Sequence, residues 1–246
     1  MKVLLIYLKQ RFNPAIFAGL TLLLILFSIP LPFNNKSVLL YVFPVFVLLA
    51  ILRLYDDLMS YKVDAVKANR IYVHKESRNL LALILAGFTF LFLFALFFFH
   101  PILAGTMAVF LMLNDVLYRL LFRRGHSRYF LPLIKYPVIA VVLYYLTTSG
   151  FSWLLALCIM IALFFSFISF EILDDDSFPT TNGILSLCSN ISVGAVIVGF
   201  GTLQDWWISV LILILGNLII HYKPKGAAYI FIVFVLASKL VLEVVG

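Results

Sequence analysis

Apolar residues run along this chain in blocks of roughly 17 to 22, broken by short polar stretches and without strict alternation. Blocks of that length suit α-helices crossing a bilayer, whereas barrel strands need only about ten residues of alternating character. Nine spans follow from the pattern: 15–32, 38–55, 79–99, 101–121, 130–148, 152–173, 183–201, 205–221 and 226–245. Only 56–78 and 122–129 remain as sizeable loops, with a short acidic segment at 174–182. The expected fold is an all-α integral membrane protein of nine transmembrane helices, with residues 1–246 forming one polytopic domain.

Composition supports the bilayer as solvent. The chain is 64% hydrophobic and only 12% charged, too little polar surface for a soluble domain of this length. Sixteen of the eighteen Lys and Arg residues fall on the side that carries the N-terminus; Lys36 and Lys239 are the exceptions. That bias predicts a multi-pass protein with a cytosolic N-terminus, as in a bacterial inner membrane. The net charge of +7 therefore reads as topology and anionic-lipid attraction. Nucleic acid is excluded as a partner, because the basic residues hug membrane borders and no soluble binding module exists. The first span resembles a signal peptide in position, but its apolar run is long and no small-residue cleavage pattern follows, so a retained helix is expected. Cys158 and Cys188 sit in different spans and read as small buried hydrophobes.

The acidic residues are few and concentrated. Seven of the eleven lie in two stretches: Asp56, Asp57 and Asp64 after span two, and Glu171, Asp174, Asp175 and Asp176 after span six. Asp56, Ser60 and Asp64 share one helical stripe, and Glu171 stands one turn from Asp175. Carboxylates near hydrocarbon are unfavourable unless paired or holding a cation. Three aspartates at a helix C-terminus also oppose the helix dipole, which argues for a compensating cation. The plain alternatives are a helix end paired with Arg53 and Lys62, and a solvated turn before Pro179. Asp115 is expected to pair with Arg119 at helical spacing or with Lys135, and Ser186, Ser189, Asn190 and Ser192 to cement helix packing. A weak echo of Arg11-Phe12-Asn13-Pro14 at Arg128-Tyr129-Phe130-Leu131-Pro132, four spans later, hints at an internal repeat.

Arg53-Leu54-Tyr55-Asp56-Asp57-Leu58 running to Val63-Asp64, Phe170-Glu171 to Asp176, Arg11-Phe12-Asn13-Pro14, and Tyr118 followed by Arg123-Arg124 together resemble the UbiA superfamily of intramembrane prenyltransferases. The resemblance implies nine helices around a central cavity and Mg²⁺-dependent transfer of a prenyl group from an isoprenoid diphosphate to an aromatic or lipid acceptor. It implies metal ligation by Asp56, Asp57, Ser60, Asp64, Glu171, Asp174 and Asp175, with Asp57, Asp64, Glu171 and Asp175 as the catalytic set. Lys67, Arg70 and Lys135 would take the diphosphate oxygens, and no obligate protein partner is expected. The match departs from the family pattern at Ser60, which replaces a carboxylate, in a missing Arg-Pro pair, and in the compressed second motif. Two further outcomes follow: a terpene cyclase acting on the diphosphate alone, or a catalytically silent binding protein. A transporter is disfavoured because the acids cluster at one border and not at the midplane. A lipid phosphotransferase is set aside, since its signature needs Gly where Leu58 stands.

Overall fold

A computed structural model describes residues 2–29, 35–64, 70–121, 127–148, 150–174, 182–202, 206–222 and 226–245, without the side chains of 35–39, 62–64, 121, 127–131 and 182. The helices are α1 (Lys2–Arg11), α2 (Pro14–Ser28), α3 (Asn35–Asp64), α4 (Lys75–Phe99), α5 (Pro101–Leu121), α6 (Ser127–Thr147), α7 (Trp153–Asp174), α8 (Asn182–Phe200), α9 (Trp206–Tyr222) and α10 (Ala227–Val245). A 3-10 turn at Ile71–Val73 precedes α4, and no strand occurs among the described residues. Five of these helices are long and apolar enough to cross a membrane, or six if α1 and α2 form one bent span. Large apolar side chains such as Phe90, Phe98 and Phe99 stand exposed, which fits hydrocarbon as the surrounding medium. Trp153, Trp206 and Trp207 are exposed in the first turns of α7 and α9, where interfacial anchors belong.

The chain divides into two compact units, Met1–Leu22 with Asn35–Arg128, and Leu23–Asn34 with Tyr129–Gly246. In the first, the helix of span two does not stop at residue 55: α3 continues to Asp64. The expected loop at 56–78 is thus corrected to a helical extension, the 3-10 turn and the start of α4. The cause is a second, small apolar core. Leu54, Leu58 and Tyr61 recur at helical spacing on one face of α3 and meet Tyr7, Tyr72 and Leu81. Asp56, Ser60 and Asp64 lie on a different stripe of the same extension.

In the second unit, α8 packs against α7, α9 and α10. Buried serines join α7 to α8: Ser166 and Ser192 are 2.6 Å apart, Ser169 and Ser189 3.2 Å, and the Ser192 hydroxyl donates to the Ala162 carbonyl at 2.9 Å. Small polar side chains that find partners across the seam are the usual cement of helices in lipid. The seam is tightest near Gly199, where an added Cβ would stand 2.8 Å from the Cys158 Cβ. Gly199→Val is therefore expected to destabilise the protein by about 1–3 kcal/mol through overpacking. Gly194→Ala, where a Cβ meets nothing within 4 Å, is expected to be neutral or stabilising. Thermal unfolding of the two variants in detergent checks the contrast.

Candidate functional site

The acidic stretch of the first unit is organised from the N-terminus. Pro14 opens α2 with its fixed φ, and the Asn13 carboxamide caps the helix by accepting from the Ala15 amide at 3.1 Å. Phe12 stacks on Phe17 with ring centroids 4.4 Å apart and meets Phe46 edge-on at 5.8 Å. These contacts fix a 64° bend between α1 and α2. With α1 folded back, Arg11 reaches Asp57: its Nη2 lies 2.6 Å from Oδ1 and its Nε 3.0 Å from Oδ2. The Tyr7 hydroxyl, one turn earlier on α1, donates to Oδ2 at 2.9 Å. Arg53 Nε stands 3.6 Å from the same oxygen. Asp57 is only 2% exposed, so this forked pair sits out of water, where charge-assisted bonds are strongest.

Asp56, its neighbour, faces α5 and accepts from the Tyr118 hydroxyl. The contact is reciprocal. The Tyr55 hydroxyl of α3 donates to Asp115 Oδ1 of α5 at 2.6 Å, and the two tyrosine rings meet edge-to-face at 5.3 Å. Arg119 Nε completes Asp115 at 2.8 Å. Each helix thus offers one tyrosine donor and one aspartate acceptor to the other. Two such bonds fix both the spacing and the rotation of α3 against α5.

Basic residues ring the same region. Arg70 donates to the Tyr72 hydroxyl at 2.8 Å, and the Arg78 guanidinium lies 3.8 Å above the Tyr61 ring. Gln10 of α1 accepts from the Ile71 amide at 3.2 Å, tying α1 to the 3-10 turn.

The remaining candidates are placed as follows. Ser60 is half-buried, its hydroxyl 3.4 Å from the Asp57 carbonyl. Asp64 ends α3, with its side chain outside the described set, and Lys67 lies outside the described residues. In the second unit, Glu171 is half-buried in the last turn of α7 and Asp174 is exposed at its end, while Asp175 lies outside the described residues. Lys135 is 2% exposed, with Nζ 5.3 Å from the Tyr136 ring centre. Among the described residues, no three His, Cys, Asp or Glu side chains are grouped to hold a metal ion. Cys158 and Cys188 are both buried and free, in keeping with their role as small hydrophobes.

Sequence reasoning passed over Tyr7 and Tyr55. The signal for Tyr7 was its position one turn before Arg11, which places both on one face of α1. For Tyr55 the signal was adjacency to Asp56 on a helix that carries another tyrosine–aspartate opposite. No family model, characterised protein or solved structure matches this chain.

Proposed function

We propose that this chain is a membrane-embedded, UbiA-type enzyme of nine spans that acts on an isoprenoid diphosphate, transferring the prenyl group to a hydrophobic acceptor. The observation that carries the reading is α3, a single helix that bears Asp56, Ser60 and Asp64 at one-turn intervals beyond its apolar stretch. Oxygen donors in that pattern suit a hard cation that keeps several waters and shares the rest of its shell with phosphate. The fit is poor for Asp57, because Arg11 and Tyr7 occupy both of its oxygens. In this reading Asp56, Ser60 and Asp64 would hold Mg²⁺, and Asp57 positions the stripe. Bound Mg²⁺ would supply charge neutralisation of the departing diphosphate. Arg70 and Arg78 stand near the same end of α3 as cations for phosphate oxygens. The N-terminus and both acidic stretches face the cytosol, by the distribution of Lys and Arg.

The test is release of pyrophosphate by the purified chain in lipid, from a panel of prenyl diphosphates, with magnesium or with chelator. Release that requires magnesium is expected, and Asp56→Asn is expected to lower it by about a hundredfold or more without loss of fold. Adding an acceptor separates transfer from cyclisation, since only transfer yields a product that contains the acceptor. One observation favours a second reading. Asp57 is committed to Arg11 and a serine stands at position 60, as in a chain that binds prenyl lipids without turnover. Absence of release across the whole panel, from protein shown to be folded, selects that reading.

A further inference from the structure

Two carboxamides stand exposed on the outer face of α8 and α9, at a depth where water is scarce. Asn190 lies eight residues into α8 and Asn217 five residues before the end of α9. At a rise of 1.5 Å per residue they sit about 12 and 8 Å from those helix ends, inside a hydrocarbon layer of about 30 Å. Asn217 Nδ2 donates to Asn190 Oδ1 at 3.0 Å and to the Leu213 carbonyl at 2.9 Å, which fixes the orientation of that amide. The Asn190 amide in turn makes one long contact to Ser186 Oγ at 3.4 Å. Among the described residues this leaves Asn217 Oδ1 without a donor and one Asn190 N–H without an acceptor. Lipid chains offer neither.

A groove of about 590 Å³ opens between α8 and α9, lined by Ser186, Ile214, Asn217, Leu218 and His221 among others. One turn beyond Asn190 on α8, Gly194 has nothing within 4 Å of the place a Cβ would take. A neighbouring backbone is free to approach closely there.

We propose that this face docks a second copy of the same chain, the amides of the two copies completing each other. The geometry favours a like partner. The bond between Asn190 and Asn217 shows that the two amides lie level with one another. Identical chains inserted in the same orientation pair about a two-fold axis along the membrane normal, and that operation preserves depth. The unused acceptor of Asn217 in one copy then meets the unused donor of Asn190 in the other, twice over. A surface with a donor and an acceptor side by side at one level is its own complement. This surface is independent of the chemistry proposed for the acidic stretches.

The experiment is single-molecule photobleaching of the full-length labelled chain in phosphatidylcholine vesicles, over a range of protein-to-lipid ratios. Dimers are expected for the wild type. Asn190→Leu with Asn217→Leu, and separately Gly194→Leu, are each expected to weaken association at least tenfold. Gly194→Leu leaves both amides intact and fills open space, so an unchanged unfolding temperature separates loss of pairing from loss of fold. A pair-forming disulfide through Ile214→Cys, absent for Phe94→Cys on α4, locates the contact. Wild-type monomers at every density, whether or not a lipid is retained in the groove, would overturn the proposal. So would dimers that all three substitutions leave intact.

Discussion

Arg11→Ala is expected to destabilise the protein by about 3–5 kcal/mol, the range for removing one partner of a buried ion pair. The reason lies in the carboxylate left behind. Asp57 is 2% exposed, and losing Arg11 strips it of the two shortest charged contacts it makes. The Tyr7 hydroxyl and the more distant Arg53 would remain, which places the result toward the low end of that range. Asp57→Asn should be milder, because Arg11 keeps 17% exposure and turns part of its charge to water. Replacing both residues together, Arg11→Leu with Asp57→Leu, is expected to recover much of the loss, since no buried charge then stands alone. Chemical or thermal unfolding in detergent of the wild type, Arg11→Leu, Asp57→Leu and the double variant gives the four corners of the cycle. A coupling below about 1 kcal/mol, the size of an exposed pair, would mean that α1 does not rest on α3 in the membrane.

The Arg11–Asp57 clasp bears on the proposed chemistry. A variant at Asp57 disturbs the clasp that holds α1 before it disturbs any cation. Loss of activity at position 57 therefore carries two meanings, whereas Asp56 and Ser60 lie outside the clasp with Arg11. Ser60→Asp is informative for the same reason. It restores an all-carboxylate stripe on α3 and is expected to tighten magnesium dependence without touching the contact to Arg11.

The helical, membrane-embedded character was legible because long apolar blocks leave no other way to satisfy the backbone in lipid. Local chemistry was legible wherever partners are close along the chain. Asp115 and Arg119 are four residues apart and do pair, and Asn13-Pro14 marks the start of a helix. What escaped was chemistry between distant segments. Arg11 and Asp57 are 46 residues apart, Tyr55 and Asp115 are 60, and nothing in the periodicity of one helix names its partner on another. The extension of α3 escaped for a related reason. Residues 56–64 are polar enough to end the span at 55 even with Asp56, Ser60 and Asp64 on one helical stripe, and Leu58 and Tyr61 acquire meaning only once Tyr7 and Tyr72 are known to cover them. The reading of Asp57 as a metal ligand came from the family resemblance, and its guanidinium partner stands 46 residues away in sequence.

Lys239 offers the second large effect. The side chain is fully buried, yet its ammonium makes two hydrogen bonds and an ion pair. Nζ donates to the carbonyls of Leu26 at 2.9 Å and Ile29 at 3.1 Å, and contacts the Glu243 carboxylate one turn along α10. Helix α2 ends at Ser28, so the Leu26 carbonyl is one of the orphan acceptors that every helix leaves at its C-terminus. The cation sits where the helix dipole is negative, and the Phe200 ring lies 5.3 Å away. A residue that sequence assigns simply to the membrane border is therefore the cap of α2. Lys239→Met fills nearly the same space but takes the ammonium away from two carbonyls and from the Glu243 carboxylate, and about 3–5 kcal/mol of stability should be lost. Lys239→Met with Glu243→Leu removes the carboxylate that faces the lysine and should regain a large part of that loss. Lys239→Arg should fail to substitute, because a planar guanidinium does not aim three donors at a converging set of acceptors. Unfolding curves of the three variants decide the matter: equal stability of wild type and Lys239→Met would show that the α2 terminus is capped by something other than this lysine.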